Sequence, residues 1–153
     1  MNRNPKVLYK TAGLIHWALL IPMLFFSIFT FINNVSGSQM KNSGLDQLIY
    51  IPMLLIVVAL TLGRFLYANT LSKAKGKSFY ERMQAFMSAM IIRDAFFEVA
   101  GIAAAVVGFL TGNNLILLLI ILIVIQFYLN RPTYLTIEND LKATRNEMEI
   151  LKA

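Results

Sequence analysis

The sequence predicts an all-α integral membrane protein, a four-helix bundle followed by a cytoplasmic C-terminal amphipathic helix. Of its 153 residues, 58% are apolar and only 14% are charged, which is too hydrophobic for an ordinary soluble domain. The apolar residues form four stretches long enough to cross a hydrocarbon core of about 30 Å. We therefore expect one membrane domain over residues 1–132 and a cytoplasmic helix over 133–153.

The first span is predicted at about 11–32. It follows a segment that contains Arg3, Lys6 and Lys10 and no acidic residue. A cleavable signal peptide has a shorter apolar core and a small-residue cleavage site, so we expect this segment to be retained. Pro22 lies near the middle of the span and predicts a kink, because proline cannot donate a backbone hydrogen bond.

The second span is predicted at about 45–69, after a nearly neutral loop rich in Asn, Ser and Gly. Ser43 and Asp46 have the spacing of a capping box, in which side chains satisfy the free N–H groups of a first helical turn. This spacing predicts a helix that begins near Gly44. A short basic linker, 71–77, leads to the third helix.

The third helix is predicted to begin at Ser78, since Glu81 follows at capping-box spacing, and to end at Gly112, a residue suited to the left-handed cap. Its membrane-spanning part is predicted at about 84–111. Residues spaced by three or four share one helix face. The face predicted to point into the bundle comprises Asp94, Glu98, Gly101, Ala105, Gly108 and Gly112. The face predicted to contact lipid comprises Ile92, Phe96, Val99, Ala103, Val106 and Leu110.

The fourth span, predicted at about 114–130, is stopped by Pro132, which disfavours helix in the residue before it. The segment from Thr133 to Ala153 then places Ile137, Leu141, Thr144, Met148 and Leu151 at heptad-like spacing. Two pairs, Glu138 with Lys142 and Arg145 with Glu149, have the i,i+4 spacing of ion pairs. Its net charge of about −1 does not suit an anionic membrane surface, so this predicted helix is expected to bind a protein partner or to self-associate.

The basic residues predict the orientation. They precede the first span and fill the linker between the second and third spans, whereas the two opposite loops hold only Lys41. Cytoplasmic loops carry an excess of lysine and arginine. Both termini are therefore predicted to be cytoplasmic, and the net charge of +6 needs no nucleic-acid partner to account for it.

Six polar residues from all four spans are each predicted to lie in the inner third of the bilayer, and polar residues at such depth face the bundle interior. One interpretation is a proton- or ion-responsive cluster in which Glu98 and His16 exchange protons. The other, which we favour, is a buried polar network that fixes the register of the helices. The six residues are His16, Arg64, Arg93, Asp94, Glu98 and Gln126.

Several classes of chemistry have no basis in the sequence. There is no cysteine and only one histidine, so bis-histidine haem within one chain and thiolate metal sites are excluded. No nucleophile elbow or glycine-rich phosphate loop is present. We therefore predict a protein without catalytic residues, metal or cofactor, that is, a non-enzymatic membrane accessory or interaction protein. The alternative is a small proton- or ion-coupled transport component.

Three stretches resemble a family of small four-span inner-membrane proteins from Bacteroidetes-type bacteria. They are 91–95 with Glu98, then 109–113, and finally Arg131-Pro132-Thr133 with the charged helix that follows. The resemblance covers roughly the second half of the chain. It implies the four-span architecture and a bacterial inner (cytoplasmic) membrane, and it implies no catalytic activity.

Overall fold

The computed structural model describes residues 4–36 and 43–152, and every element in these ranges is helical. The predicted cap formed by Ser43 and Asp46, as well as Arg3 and Lys41, lies outside the described side chains. The elements are α1 (Pro5–Val35), a 3-10 turn (Ser43–Ile49), α2 (Tyr50–Val58), a π turn (Ala59–Gly63), α3 (Arg64–Ser72), α4 (Phe79–Thr111), a 3-10 turn (Asn114–Ile116), α5 (Leu117–Leu129), α6 (Tyr134–Leu141) and α7 (Arg145–Lys152).

Within residues 4–36 and 43–152, two helices, or three, are long and apolar enough to cross a membrane. The first is α1, and the second is the continuous helical segment Gln47–Ser72, which contains α2 and α3. The third is counted if the segment Asn114–Leu129 and α6, which are bent by 75° at their junction, form one span. The bend falls at Arg131-Pro132, where the sequence predicts that the helix ends.

The first helix begins as its sequence dictates. Asn4 caps it by accepting a hydrogen bond from the Lys6 amide at 2.9 Å, and Pro5 occupies the first turn, where a missing N–H is harmless. The helix continues through Pro22 without interruption. One turn later the Ser27 hydroxyl donates to the Met23 carbonyl at 2.6 Å.

The fourth helix is the centre of the fold, because α1, α2, α3 and α5 all pack against it. Both predicted ends are confirmed. Ser78 and Glu81 form a reciprocal capping box, and Gly112 adopts the left-handed conformation with φ of 63°. The two predicted faces also separate. The interior set is buried apart from the half-buried Glu98 and Gly112, and the lipid-facing set is exposed apart from the half-buried Phe96 and Ala103.

Contacts along α4 show the direction of each neighbouring helix. His16 of α1 contacts Asp94, and Thr30 contacts Ala105 further along, so α1 runs parallel to α4. The opposite order holds for α5, since its residues contact α4 from Gly108 back to Arg93. The segment Gln47–Ser72 is also antiparallel to α4. Successive helices therefore alternate in direction, up-down-up-down.

The apolar core lies between these helices and closes tightly at Gly101. Its buried residues include Leu20, Met23, Phe97, Ile120, Ile123 and Phe127. A Cβ atom at Gly101 would lie 2.1 Å from the Met23 Sδ atom and 2.7 Å from its Cγ atom. The absence of a side chain at Gly101 therefore makes room for Met23 of α1 and lets α1 approach α4 at this level.

The single helix predicted over 133–153 is wrong, because the structure has two short helices there. The first, α6, ends at Lys142, whose φ of 49° is left-handed, so Lys142 is outside the helix and forms no ion pair with Glu138 in the described structure. The second, α7, is initiated by Thr144, whose backbone amide donates to Glu147 at 2.8 Å. The predicted pair of Arg145 with Glu149 does form, at 3.6 Å.

The two short helices fold back on the bundle, and we call α6 and α7 the C-terminal cap. Its apolar residues join one buried cluster with the first turns of α4: Met83, Phe86, Ile137, Leu141, Met148 and Leu151. Thr144, predicted on the same face, is exposed. Arg82 fixes the cap by donating to the Leu141 carbonyl at 2.6 Å and to the Glu147 carboxylate. The apolar face that the sequence assigned to a partner is thus covered by the same chain.

Candidate functional site

The site is built around His16, Asp94 and Arg93, three buried side chains on α1 and α4. The His16 Nδ1 atom lies 2.6 Å from one Asp94 oxygen, and the Arg93 Nε atom donates to the other oxygen at 3.1 Å. His16 and Asp94 are each 1% exposed, and Arg93 is 4% exposed. Burial without a partner is strongly unfavourable for a charge, so these groups stabilise one another across the helix interface.

Arg93 connects this cluster to two further helices. Its Nη2 atom donates to the Asn130 backbone carbonyl at 2.8 Å, where α5 has just ended and the carbonyl has no helical partner. Its guanidinium also lies 4.6 Å from the ring centroid of Tyr67 on α3, at the distance of a cation–π contact. The Tyr67 hydroxyl in turn donates to Asp140 in the C-terminal cap.

A second pair, Arg64 and Gln126, joins the same chain of contacts. Arg64 donates to the Gln126 side-chain oxygen at 3.0 Å and so links α3 to α5. The Asn130 side chain donates to the Gln126 backbone carbonyl at 2.6 Å. The contacts therefore run from His16 through Asp94, Arg93, Asn130 and Gln126 to Arg64. Five of the six predicted residues belong to this network, which we call the polar chain.

Glu98 is the predicted residue that the structure leaves out. It is half-buried on α4, and the described residues contain no hydrogen bond or ion pair to it. The expected partnership of Glu98 with His16 is corrected: Asp94, one helical turn earlier, is the partner of His16. One turn displaces a side chain by about 5.4 Å along the axis, which is enough to move Glu98 out of reach.

Sequence reasoning missed three members of the site: Tyr67, Asn130 and Asp140. Asn130 follows an apolar run and precedes Arg131-Pro132, so its place at a helix end was a usable signal for a hydrogen-bonding residue. In the sequence, Tyr67 is only one of several aromatic residues near the ends of the predicted spans. Asp140 lies on the solvent side of α6, and nothing in its spacing indicates a tyrosine from another helix.

A smaller polar contact closes the opposite end of the bundle. The Thr30 hydroxyl donates to the Ala105 carbonyl at 3.1 Å. The Asn34 amide donates to the Gly108 carbonyl at 3.0 Å and to the Asn114 side chain at 2.9 Å. Polar contacts therefore fix the register of α1 against α4 at both ends.

The C-terminal cap contains a carboxyl whose pKa is clearly lowered, that of Glu147. Burial raises the pKa of Glu147, but hydrogen bonds from Thr144 and Arg82, together with the Arg82 charge, outweigh this effect and hold the pKa below its ordinary value. The ionised form of Glu147 is therefore the one that binds Arg82 at neutral pH.

The geometry of the polar chain suits helix association more than ligand binding. Both Asp94 oxygens are occupied by protein donors, and Arg93 has its own acceptor and aromatic contact. Among the described residues, no group of three or more His, Cys, Asp or Glu side chains could hold a metal ion.

Comparison with models of protein families, with curated proteins and with solved structures found no match.

Proposed function

We propose that this chain is a four-span integral membrane protein of a bacterial inner membrane that serves as a non-enzymatic accessory or interaction subunit. The observation that supports it is the polar chain, in which charged and polar side chains bind one another and join four helices. Such a network holds helices in a defined arrangement. A rigid helical surface is what a membrane-embedded partner requires.

The count of four spans rests on the alternation of helix direction. In this proposal α4, enclosed by its neighbours, crosses the membrane together with α1, the segment Gln47–Ser72 and α5. Every lysine and arginine that the structure describes lies in the half of the bundle where α1 and α4 begin. Positive residues are concentrated on the cytoplasmic side, which supports cytoplasmic termini.

The test is purification of the full-length protein from its native membranes after mild cross-linking, with an unrelated four-span protein carrying the same tag as the control. We expect a second membrane protein in fixed stoichiometry with this chain and absent from the control. Recovery of the chain alone, at its own mass of 17.3 kDa, would overturn the proposal.

A second candidate function, a proton- or ion-coupled transport component, is favoured by one observation: a histidine and an aspartate in contact inside the bundle. Histidine is the side chain that titrates near neutral pH. Purified protein in vesicles with an imposed pH gradient separates the two proposals. The accessory function predicts the same proton leak as empty vesicles, whereas a flux that His16→Gln abolishes would favour transport.

A further inference from the structure

The carboxylate of Glu98 is placed within the apolar part of α4 without a partner of its own. It lies one turn beyond Asp94, and no hydrogen bond or ion pair to it is present in residues 4–36 and 43–152. In the proposed four-span arrangement this level of α4 lies within the hydrocarbon, where an ionised carboxylate is unfavourable without a partner. The described residues supply two partners to Asp94, His16 and Arg93, and none to Glu98.

The surface beside Glu98 is an open apolar groove of about 390 Å³ between α2 and α4. Its walls are formed by Leu55, Val58, Ile92, Ala95, Phe96 and Val99. Glu98 lies three residues after Ala95 and four after Asp94, so it stands on the α4 surface between this groove and the contact with α1. Ile102 and Val106, further along α4, are also exposed. The uncovered face of α4 is therefore apolar, with one carboxylate along its edge.

We propose that this face of α4 binds one transmembrane helix of a partner protein, and that the helix carries a lysine or arginine opposite Glu98. The inference rests on the proposed accessory function and names the partner's chemistry. An apolar helix fits the groove, and a basic residue supplies the missing counter-charge, since opposite charges attract strongly where water is excluded. The contact is charge-assisted and therefore selective for helices with a cation at that depth.

A second copy of this chain fits the face poorly. A symmetric dimer uses the same patch on both subunits, so it would bring two Glu98 side chains together at equal depth. Like charges at short distance destabilise one another. The charge of the face thus selects a different protein with a basic residue.

The experiment uses the full-length protein with a fluorescent donor on a single cysteine introduced at Lys75, since the chain has no cysteine of its own. The protein is reconstituted in phosphatidylcholine vesicles with acceptor-labelled peptides of about 23 leucine and alanine residues, a length that spans the bilayer. One peptide carries a single lysine at the depth of Glu98, and its matched control carries leucine there. Energy transfer at increasing peptide-to-lipid ratio measures the association.

We expect the lysine peptide to associate at least about tenfold more tightly than the leucine peptide, which corresponds to about 1.4 kcal/mol. Glu98→Gln should remove this difference, and Glu98→Lys should prefer a glutamate peptide over the lysine peptide. Ala95→Phe, which fills the groove, should weaken both peptides equally. Equal association of the two peptides with the wild type, or a preference that persists in Glu98→Gln, overturns the docking face.

The docking face and the accessory function are tested by separate experiments. The peptide result overturns the docking face whether or not a partner is purified from native membranes. Purification of the chain without a partner overturns the accessory function, whatever the peptides do.

Discussion

Asp94 is the residue on which the polar chain depends, because both His16 and Arg93 contact it. Asp94→Leu leaves the Arg93 charge buried without its carboxylate, and breaking a buried pair in this way costs about 3–5 kcal/mol. We expect a large loss of stability against thermal or denaturant unfolding in detergent.

The matched control is Glu149→Gln, which removes an ion pair whose side chains are 94% and 67% exposed. Exposed pairs contribute little, so this variant should differ from the wild type by less than about 0.5 kcal/mol. Equal effects of the two substitutions would show that the buried contact does not hold the helices together.

Gly101 gives a second test at the scale of one residue. Gly101→Ala introduces a methyl group into the space of the buried Met23 side chain, and such overpacking costs about 1–3 kcal/mol. Gly13→Ala is the control, since nothing lies within 4 Å of the added atom and alanine favours helix over glycine. Unfolding measured in the same detergent should show a loss for Gly101→Ala and a gain or no change for Gly13→Ala. The opposite order would contradict the close approach of α1 and α4.

At the scale of elements, the docking of the C-terminal cap is predicted to depend on pH through Glu147. Its pKa in the docked state is lowered, so the contact with Arg82 stabilises docking above the ordinary glutamate pKa of about 4.3. This stabilisation is lost as the pH falls through the lower pKa of the docked state. The protection of the α6 and α7 amides from hydrogen exchange, measured against the intrinsic exchange rate at each pH, should therefore fall in acid.

Glu147→Gln is the control for this dependence. The glutamine does not ionise, so the amide protection in α7 should be lower than in the wild type at neutral pH and should change less with acid. The other cap carboxylate that contacts the bundle, Asp140, is retained in both proteins and contributes equally. A wild type whose exchange follows the same pH profile as Glu147→Gln would contradict the role of this pair.

The elements differ in how far the sequence predicts them. The ends of α4 follow from Ser78, Glu81 and Gly112, since capping and left-handed conformation are properties of nearby residues. The break between α6 and α7 falls at Lys142, which has no glycine or proline to mark it. Thr144 and Glu147 did carry a signal, because their capping-box spacing predicts a new helix. The heptad-like pattern runs across this break, and the prediction based on it was therefore one continuous helix.

The sequence predicted the level at which the site residues lie, but not which side chains contact one another. Counting along each span places His16, Arg93 and Asp94 at a common level, and the structure brings them together. Counting does not resolve one helical turn, so it does not separate Asp94 from Glu98 as the partner of His16. The periodicity of 133–153 likewise predicts an apolar face on the cap. It does not predict what covers that face, because this depends on the path of the chain at the bend after α5.

At the scale of the whole molecule, the proposed orientation is tested by four single cysteines at Ser36, Lys75, Asn113 and Lys152. A membrane-impermeant thiol reagent added outside intact cells or spheroplasts should label the first and third positions only. Each cysteine must also be labelled after the membrane is permeabilised, which controls for local burial. Outside labelling at Lys75 would invert the proposed topology.

The buried cluster beneath the C-terminal cap gathers residues of α4 with residues of α6 and α7, such as Leu151. Protein synthesis proceeds from the N-terminal side, so the long helices are made before α7 exists. Until then Met83 and Phe86 lack their α7 contacts and present an apolar surface. A chain interrupted before α7 keeps that surface exposed, as a substrate for chaperones and proteases. Closure of the cap thus distinguishes a finished chain from an unfinished one.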